Sequence, residues 1–147
     1  MDTIKKSLPE YAKDLKLNYS SVIENAEGAE LTTQQIAAIA LACSYATKNA
    51  GLIKAIEQQH SDILDEKTIY AAKAAASIMA MNNIYYRAMH LMSDKEYLTM
   101  PAKLRMNVIG NPGIDKVDFE LMSLAISAIN GCGMCIDSHA STLIKSG

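Results

Sequence analysis

The segment Lys116-Val117-Asp118-Phe119-Glu120-Leu121-Met122-Ser123-Leu124-Ala125-Ile126-Ser127-Ala128-Ile129-Asn130 decides the fold. Its apolar side chains (Val117, Phe119, Leu121, Met122, Leu124, Ile126 and Ile129) recur mostly at helical steps and wrap nearly every side of a helix, which implies burial. Gly131 follows as a natural left-handed stop. A second helix is then expected to begin within Cys132-Gly133-Met134-Cys135 and to continue through His139 to Leu143 and Ile144. Three- and four-residue apolar steps dominate the rest of the chain too, and alternating β-branched runs of strand type are missing. The whole chain therefore reads as all-α, a compact multi-helix domain over residues 1–147 with no dividing linker and no internal repeat.

Working backwards, Ser61 to Asp65 offers a capping region, and from there the helical pattern holds to about Leu91. Ala71, Ala72, Ala74, Ala75, Ala76 and Ala80 make this a candidate central packing helix, because small side chains let neighbouring helices approach closely. Ser93-Asp94 ends it, and a connecting region with Pro101 and Asn111-Pro112-Gly113 leads to Asp115. Further upstream, Thr32 or Thr33 can N-cap a helix that runs through Ile36, Ile39, Ala40 and Cys43 towards Lys48 and ends at Asn49-Ala50-Gly51. A short helix from Leu52 to about His60 follows. The first helical region spans Ile4 to Ile23 with a break near Ser7 forced by Pro9, and Glu24 to Ala29 forms a polar link.

Composition narrows the function. Lys plus Arg is 14 and Asp plus Glu is 16, so the formal charge is −2, too near neutrality to favour nucleic acid. Three cysteines are too few for a disulfide scaffold. The opening Met1-Asp2-Thr3-Ile4-Lys5-Lys6 lacks the apolar segment of a secretory signal. Lys73, Asn82, Asn83 and Arg87 interrupt the most apolar region, so no membrane span is expected. These features predict a soluble, cytoplasmic protein.

The chemistry concentrates in the last two helices. Cys132 and Cys135, at the start of a helix, lie near unpaired backbone N–H groups and the positive end of the helix dipole, which favour thiolate. His139 falls one turn after Cys135 on the same face, where an imidazole can exchange the thiol proton. If Gly131 turns the chain into a helical hairpin, Glu120 comes back alongside His139 and can orient the ring. Other readings compete. The Cys-x-x-Cys could be half a zinc site, completed by His139 and a distant Cys43 or His90, but no second cysteine pair exists. Both cysteines could be inert core residues, the reading preferred for Cys43. A thioredoxin-like role fails for want of a βαβ unit. His60 and His90 read as solvated or dipole-favoured, and Asn82-Asn83 as a helix-to-helix hydrogen-bonding pair in preference to a site role.

With Glu120, Cys132, Cys135 and His139 in view, the sequence resembles the alkyl hydroperoxidase D family within the carboxymuconolactone decarboxylase-like group. The likeness runs through Leu8-Pro9-Glu10-Tyr11-Ala12-Lys13-Asp14, Met81-Asn82-Asn83-Ile84-Tyr85-Tyr86-Arg87, Leu104-Arg105-Met106-Asn107, Asn111-Pro112-Gly113-Ile114 and Phe119-Glu120, and on through Ser127 to Cys132. The resemblance implies a helical homotrimer that reduces alkyl hydroperoxides and serves as reductant for a peroxiredoxin. By that similarity Cys135 is the attacking thiolate, Cys132 its proton donor and resolving thiol, and Glu120 and His139 a proton relay. The resulting Cys132–Cys135 disulfide would be reduced by an external dithiol such as dihydrolipoamide on a lipoyl-bearing dehydrogenase component, with no bound cofactor or metal.

Two departures from the family stand out. Met134 occupies a place where some relatives carry histidine. Family members also continue through further helical sequence beyond Gly147, so their C-terminal helical segment is expected to be missing here. Three rival readings remain: a non-enzymatic redox adaptor for a peroxiredoxin, a carboxymuconolactone decarboxylase-like helical protein, and a helical assembly module with inert cysteines.

Overall fold

Each helix boundary in the computed structural model, which describes residues 2–25 and 30–147, has a local cause in the sequence. The described residues form eight α-helices and no strands: α1 (Asp2–Ser7), α2 (Lys13–Tyr19), α3 (Thr33–Thr47), α4 (Ala50–Gln59), α5 (Glu66–Leu91), α6 (Asn107–Gly110), α7 (Lys116–Asn130) and α8 (Gly133–Ser146). The protein is all-α, as its apolar periodicity predicts. Pro9 separates α1 from a 3₁₀ turn at Glu10–Ala12, so the first region breaks where expected. A π-helical turn at Ser20–Glu24 extends α2, a feature the sequence pattern did not signal. Of the expected polar link, residues 26–29 lie outside the described residues.

Thr32 caps α3 with a full capping box, its hydroxyl accepting from the Gln35 N–H while the Gln35 side chain accepts from the Thr32 N–H. The stop expected at Asn49-Ala50-Gly51 falls earlier. Lys48 takes the left-handed position (φ 58°), and Asn49 Oδ1 accepts from Leu52 N–H at 3.0 Å to start α4 at Ala50. An Asn in place to cap outweighs the glycine, which sits in the first turn instead. Asp65 caps α5 through the Thr68 N–H at 2.8 Å, and Asp115 caps α7 through the Val117 N–H at 2.7 Å. The connecting region also holds a 3₁₀ turn at Lys95–Thr99 and the short α6, neither of them expected.

Helices α3, α5 and α7 share one core. Leu41, Ala71, Ala72, Ala75, Met79, Phe119, Met122 and Ile126 are wholly buried in it. Burying each larger side chain contributes about 1.5–3 kcal/mol, so Phe119, Met122, Ile126, Met79 and Leu41 dominate the packing. The alanines let α5 approach its neighbours closely, but α7 is equally central, packing against α3, α5 and α8. Its burial is incomplete, because Ile129 near its C-terminus is half exposed.

Polar contacts fix the register. Asn83 Nδ2 donates to Ser127 Oγ at 2.9 Å, and Asn130 Nδ2 donates to Asn83 Oδ1 at 2.9 Å. Arg87 adds a hydrogen bond from Nη1 to the Asn130 carbonyl at 2.6 Å. Together they pin the C-terminal end of α7 to α5, as expected of Asn83 from its mid-helix position. At the other end of the chain Lys5 bonds Glu24 at 2.6 Å, and Tyr19 donates to Gln59 Oε1 at 2.6 Å, tying the first helices to α4. Among the described residues no helix is long and apolar enough to cross a membrane.

Candidate active site

A glycine at the α7 C-terminus builds the hairpin that carries the site. Gly131 adopts φ 67°, its N–H donates to the Ala128 carbonyl at 3.2 Å, and the Cys132 N–H reaches back to the Ser127 carbonyl at 3.1 Å. That pairing is a Schellman stop, and it needs a residue that tolerates the left-handed conformation. The chain reverses immediately into α8, with Cys132 as its N-cap residue.

The cap is a sulfur. Cys132 Sγ accepts from the Cys135 N–H at 3.3 Å, and the two cysteines are joined in a disulfide with Cα atoms 5.3 Å apart. Cys132 is wholly buried, whereas Cys135 sits in the wall of a cavity. One turn further along α8, His139 points back at α7. Its Nδ1 lies 2.5 Å from Glu120 Oε2, and both residues are more than nine-tenths buried. A carboxylate this close holds one ring nitrogen and leaves Nε2 for other work.

Glu120, Cys135 and His139 line a single cavity of about 500 Å³. Its far wall comes from Met79, Asn82 and Tyr86 on α5, with Met106 and Ile109 from the segment around α6; Lys116 and Met134 also line it. The structure thus brings together all four residues singled out in the sequence: three around the cavity and Cys132 bonded behind one of them.

The remaining candidates separate. Cys43, partly buried on α3, is a free thiol that burial pushes up to about 11, the behaviour of an inert core cysteine. His90 is exposed in the last turn of α5, as expected. His60 is not solvated: it is 6 % exposed at the end of α4, its Nε2 has no partner, and burial lowers its pKa. The polar run from Glu57 to Asp62 that suggested a wetted histidine leaves Ser61 and Asp62 exposed but buries His60 between them and α4. Among the described residues no group of three or more His, Cys, Asp or Glu is arranged to hold a metal ion.

Asn82 departs from the interhelical role that its sequence setting favours over a site role. Paired with Asn83 by adjacency, it looks like a second interhelical bonding residue. The two point different ways: Asn83 bonds α7, while Asn82 faces the cavity, with Met79 and Tyr86 at three and four residues' distance on the same face. The available signal was a polar residue on an apolar helical stripe that Asn83 alone sufficed to pin.

Comparison with known proteins agrees with this geometry. Residues 95–147 match the Carboxymuconolactone decarboxylase family. The chain is 62 % identical over 147 residues to an alkyl hydroperoxide reductase AhpD of Coxiella burnetii (strain RSA 493 / Nine Mile phase I), covering all of this chain and 83 % of the relative. It is 56 % identical over 145 residues to the protein of the same name from Brucella canis, covering 99 % of this chain and 81 % of the relative. At that identity over essentially the whole chain, the chain belongs to the alkyl hydroperoxide reductase AhpD family of carboxymuconolactone decarboxylase-like proteins.

Proposed function

We propose that this chain is an alkyl hydroperoxide reductase that cycles through the Cys132–Cys135 disulfide. The observation that carries the reading is the single cavity in which Cys135 meets a buried Glu120–His139 pair. In the reduced enzyme His139, held by Glu120, takes the Cys135 proton. The thiolate attacks the terminal oxygen of ROOH, the O–O bond breaks, and Cys135 becomes a sulfenic acid. The departing alkoxide takes a proton relayed from His139 or the Cys132 thiol and leaves as ROH. Cys132 then condenses with the sulfenic acid, releasing water and forming the disulfide. The peroxide has gained two electrons and the thiol pair has lost two.

The order of the two thiols draws support from burial, since Cys135 is open to the cavity and Cys132 is closed off behind it. It also fits the reductive half. An external dithiol that attacks Cys135 Sγ expels Cys132 as thiolate, and the Cys135 N–H and the α8 dipole stabilise that leaving group. The second thiol of the reductant resolves the mixed disulfide, so a lipoyl-type dithiol becomes a cyclic disulfide. A lipoyl-bearing dehydrogenase component as donor, an AhpC-like peroxiredoxin as an acceptor of electrons, a homotrimeric assembly, a single domain over residues 1–147 and a cytoplasmic location belong to the same reading. No bound cofactor enters it.

Steady-state consumption of tert-butyl hydroperoxide with dihydrolipoamide as reductant tests the proposal. Turnover is expected for this chain and none for Cys135→Ser, whose hydroxyl cannot form the sulfenic acid. Equal rates for the two proteins would overturn it.

A further inference from the structure

The cavity contains a polar group that the reaction as described leaves idle. Asn82 is 5 % exposed, yet its carboxamide is poorly satisfied: Nδ2 reaches only Met106 Sδ at 3.1 Å, and Oδ1 has no partner among the described residues. A thioether is a weak acceptor, and a buried amide oxygen without a donor is rare in folded proteins. Its neighbour Asn83, only one position along α5, is fully engaged with Ser127 and Asn130. The shortfall is therefore specific to the asparagine in the cavity wall, across from Glu120, Cys135 and His139.

A hydroperoxide group has the complementary need. Its O–H must donate and its oxygens accept while the O–O bond is lined up with the attacking sulfur. A carboxamide offers one acceptor and two donors on a single planar group. Met79, Met106 and Ile109 beside it form an adaptable apolar wall suited to an uncharged alkyl tail.

We propose that Asn82 is the substrate-anchoring residue of the cavity: Oδ1 accepts the hydroperoxide O–H, Nδ2 exchanges Met106 Sδ for a substrate oxygen, and the alkyl tail lies along Met79, Met106 and Ile109. The inference rests on the peroxidase reading above. It makes Asn82 a binding residue and leaves the thiol chemistry to Cys135, His139 and Glu120.

The test compares the full chain with Asn82→Leu, nearly the same size but without hydrogen-bonding groups, and with Asn82→Ala should the larger side chain fail to fold. Three quantities are read: kcat and KM for tert-butyl hydroperoxide, the midpoint of thermal unfolding, and the rate at which iodoacetamide alkylates the reduced thiols. Loss of the anchor is expected to lower kcat/KM roughly tenfold or more, chiefly through KM. For Asn82→Leu the unfolding midpoint is expected to hold or rise, because an unsatisfied buried polar group has been removed. Thiol alkylation is expected to match the wild type. Unchanged kcat/KM would overturn the inference, and so would a loss of activity that tracks a lowered midpoint or slowed alkylation, the signature of a merely structural asparagine. Absence of turnover in the wild type would overturn the peroxidase reading and this inference with it, whereas wild-type turnover with an unaffected variant would overturn this inference alone.

Discussion

Replacing His139 with Phe removes the partner of a carboxylate that is 4 % exposed and 2.5 Å from the imidazole. Phenylalanine fills much the same space, so the main change is electrostatic: Glu120 stays in the core with nothing to accept from. Breaking one side of a buried pair typically costs about 3–5 kcal/mol, while replacing both sides by apolar residues is often nearly neutral. For a chain of this length each kcal/mol moves the unfolding midpoint by about 2–4 °C, which puts His139→Phe roughly 6–20 °C below the wild type. The double variant Glu120→Leu/His139→Phe should recover most of that loss. Urea unfolding of the oxidised protein at neutral pH, followed by far-UV circular dichroism, closes the double-mutant cycle. The expected coupling is above about 2 kcal/mol. A loss below about 1 kcal/mol for His139→Phe, with the single effects simply adding in the double variant, would refute the idea that the two side chains act as a buried unit.

The remaining predictions use other parts of the molecule. Asn83→Ala forfeits the bonds to Ser127 and Asn130 and should lower stability by about 1–3 kcal/mol, measured by denaturant unfolding. His60 is held neutral by burial, so the unfolded chain takes up its proton at a higher pH than the folded one. Its stabilising contribution is complete above the usual histidine value of about 6.5 and declines as pH falls below it, and His60→Gln should flatten that decline in a stability–pH series. Cys43, pushed up to about 11, should resist iodoacetamide at neutral pH while the reduced active-site thiols react, as peptide mass mapping will reveal. In Cys132→Ser the resolving thiol is gone, so after one equivalent of hydroperoxide the sulfenic acid should persist on Cys135 and take up dimedone with loss of water; label distributed evenly over Cys43 and Cys135 would contradict the proposed order.

The sequence made the hairpin readable because its determinants are local. Asp115 as cap, an apolar period through Ile126 and Gly131 as stop are each decided within one or two turns, and they suffice to return His139 to Glu120. Capping at Thr32 or Thr33 and within Ser61 to Asp65 was legible for the same reason, and Thr32 and Asp65 take those places. What escaped depends on distant parts of the chain. Whether the Lys48 backbone or Gly51 ends α3 turned on Asn49 claiming the next helix. The burial of His60 inside an otherwise polar run, with Ser61 and Asp62 exposed beside it, is set by packing that the local pattern does not describe. The different duties of Asn82 and Asn83 follow from a rotation of about 100° between successive helical positions, but which of those directions faces α7 and which faces a cavity is fixed only by packing. The far wall around Met106 and Ile109 comes from an irregular segment whose path no periodicity describes.

The central claim is that Cys135 takes oxygen from a hydroperoxide and Cys132 closes the disulfide. Its most direct test is a single turnover without any reductant: the fully reduced chain is mixed with one equivalent of tert-butyl hydroperoxide, and alcohol and thiols are counted. The account predicts one alcohol formed and one Cys132–Cys135 disulfide closed per chain, with Cys132→Ser stopping at a sulfenic acid on Cys135. Intact peroxide beside a folded, fully reduced protein would contradict it.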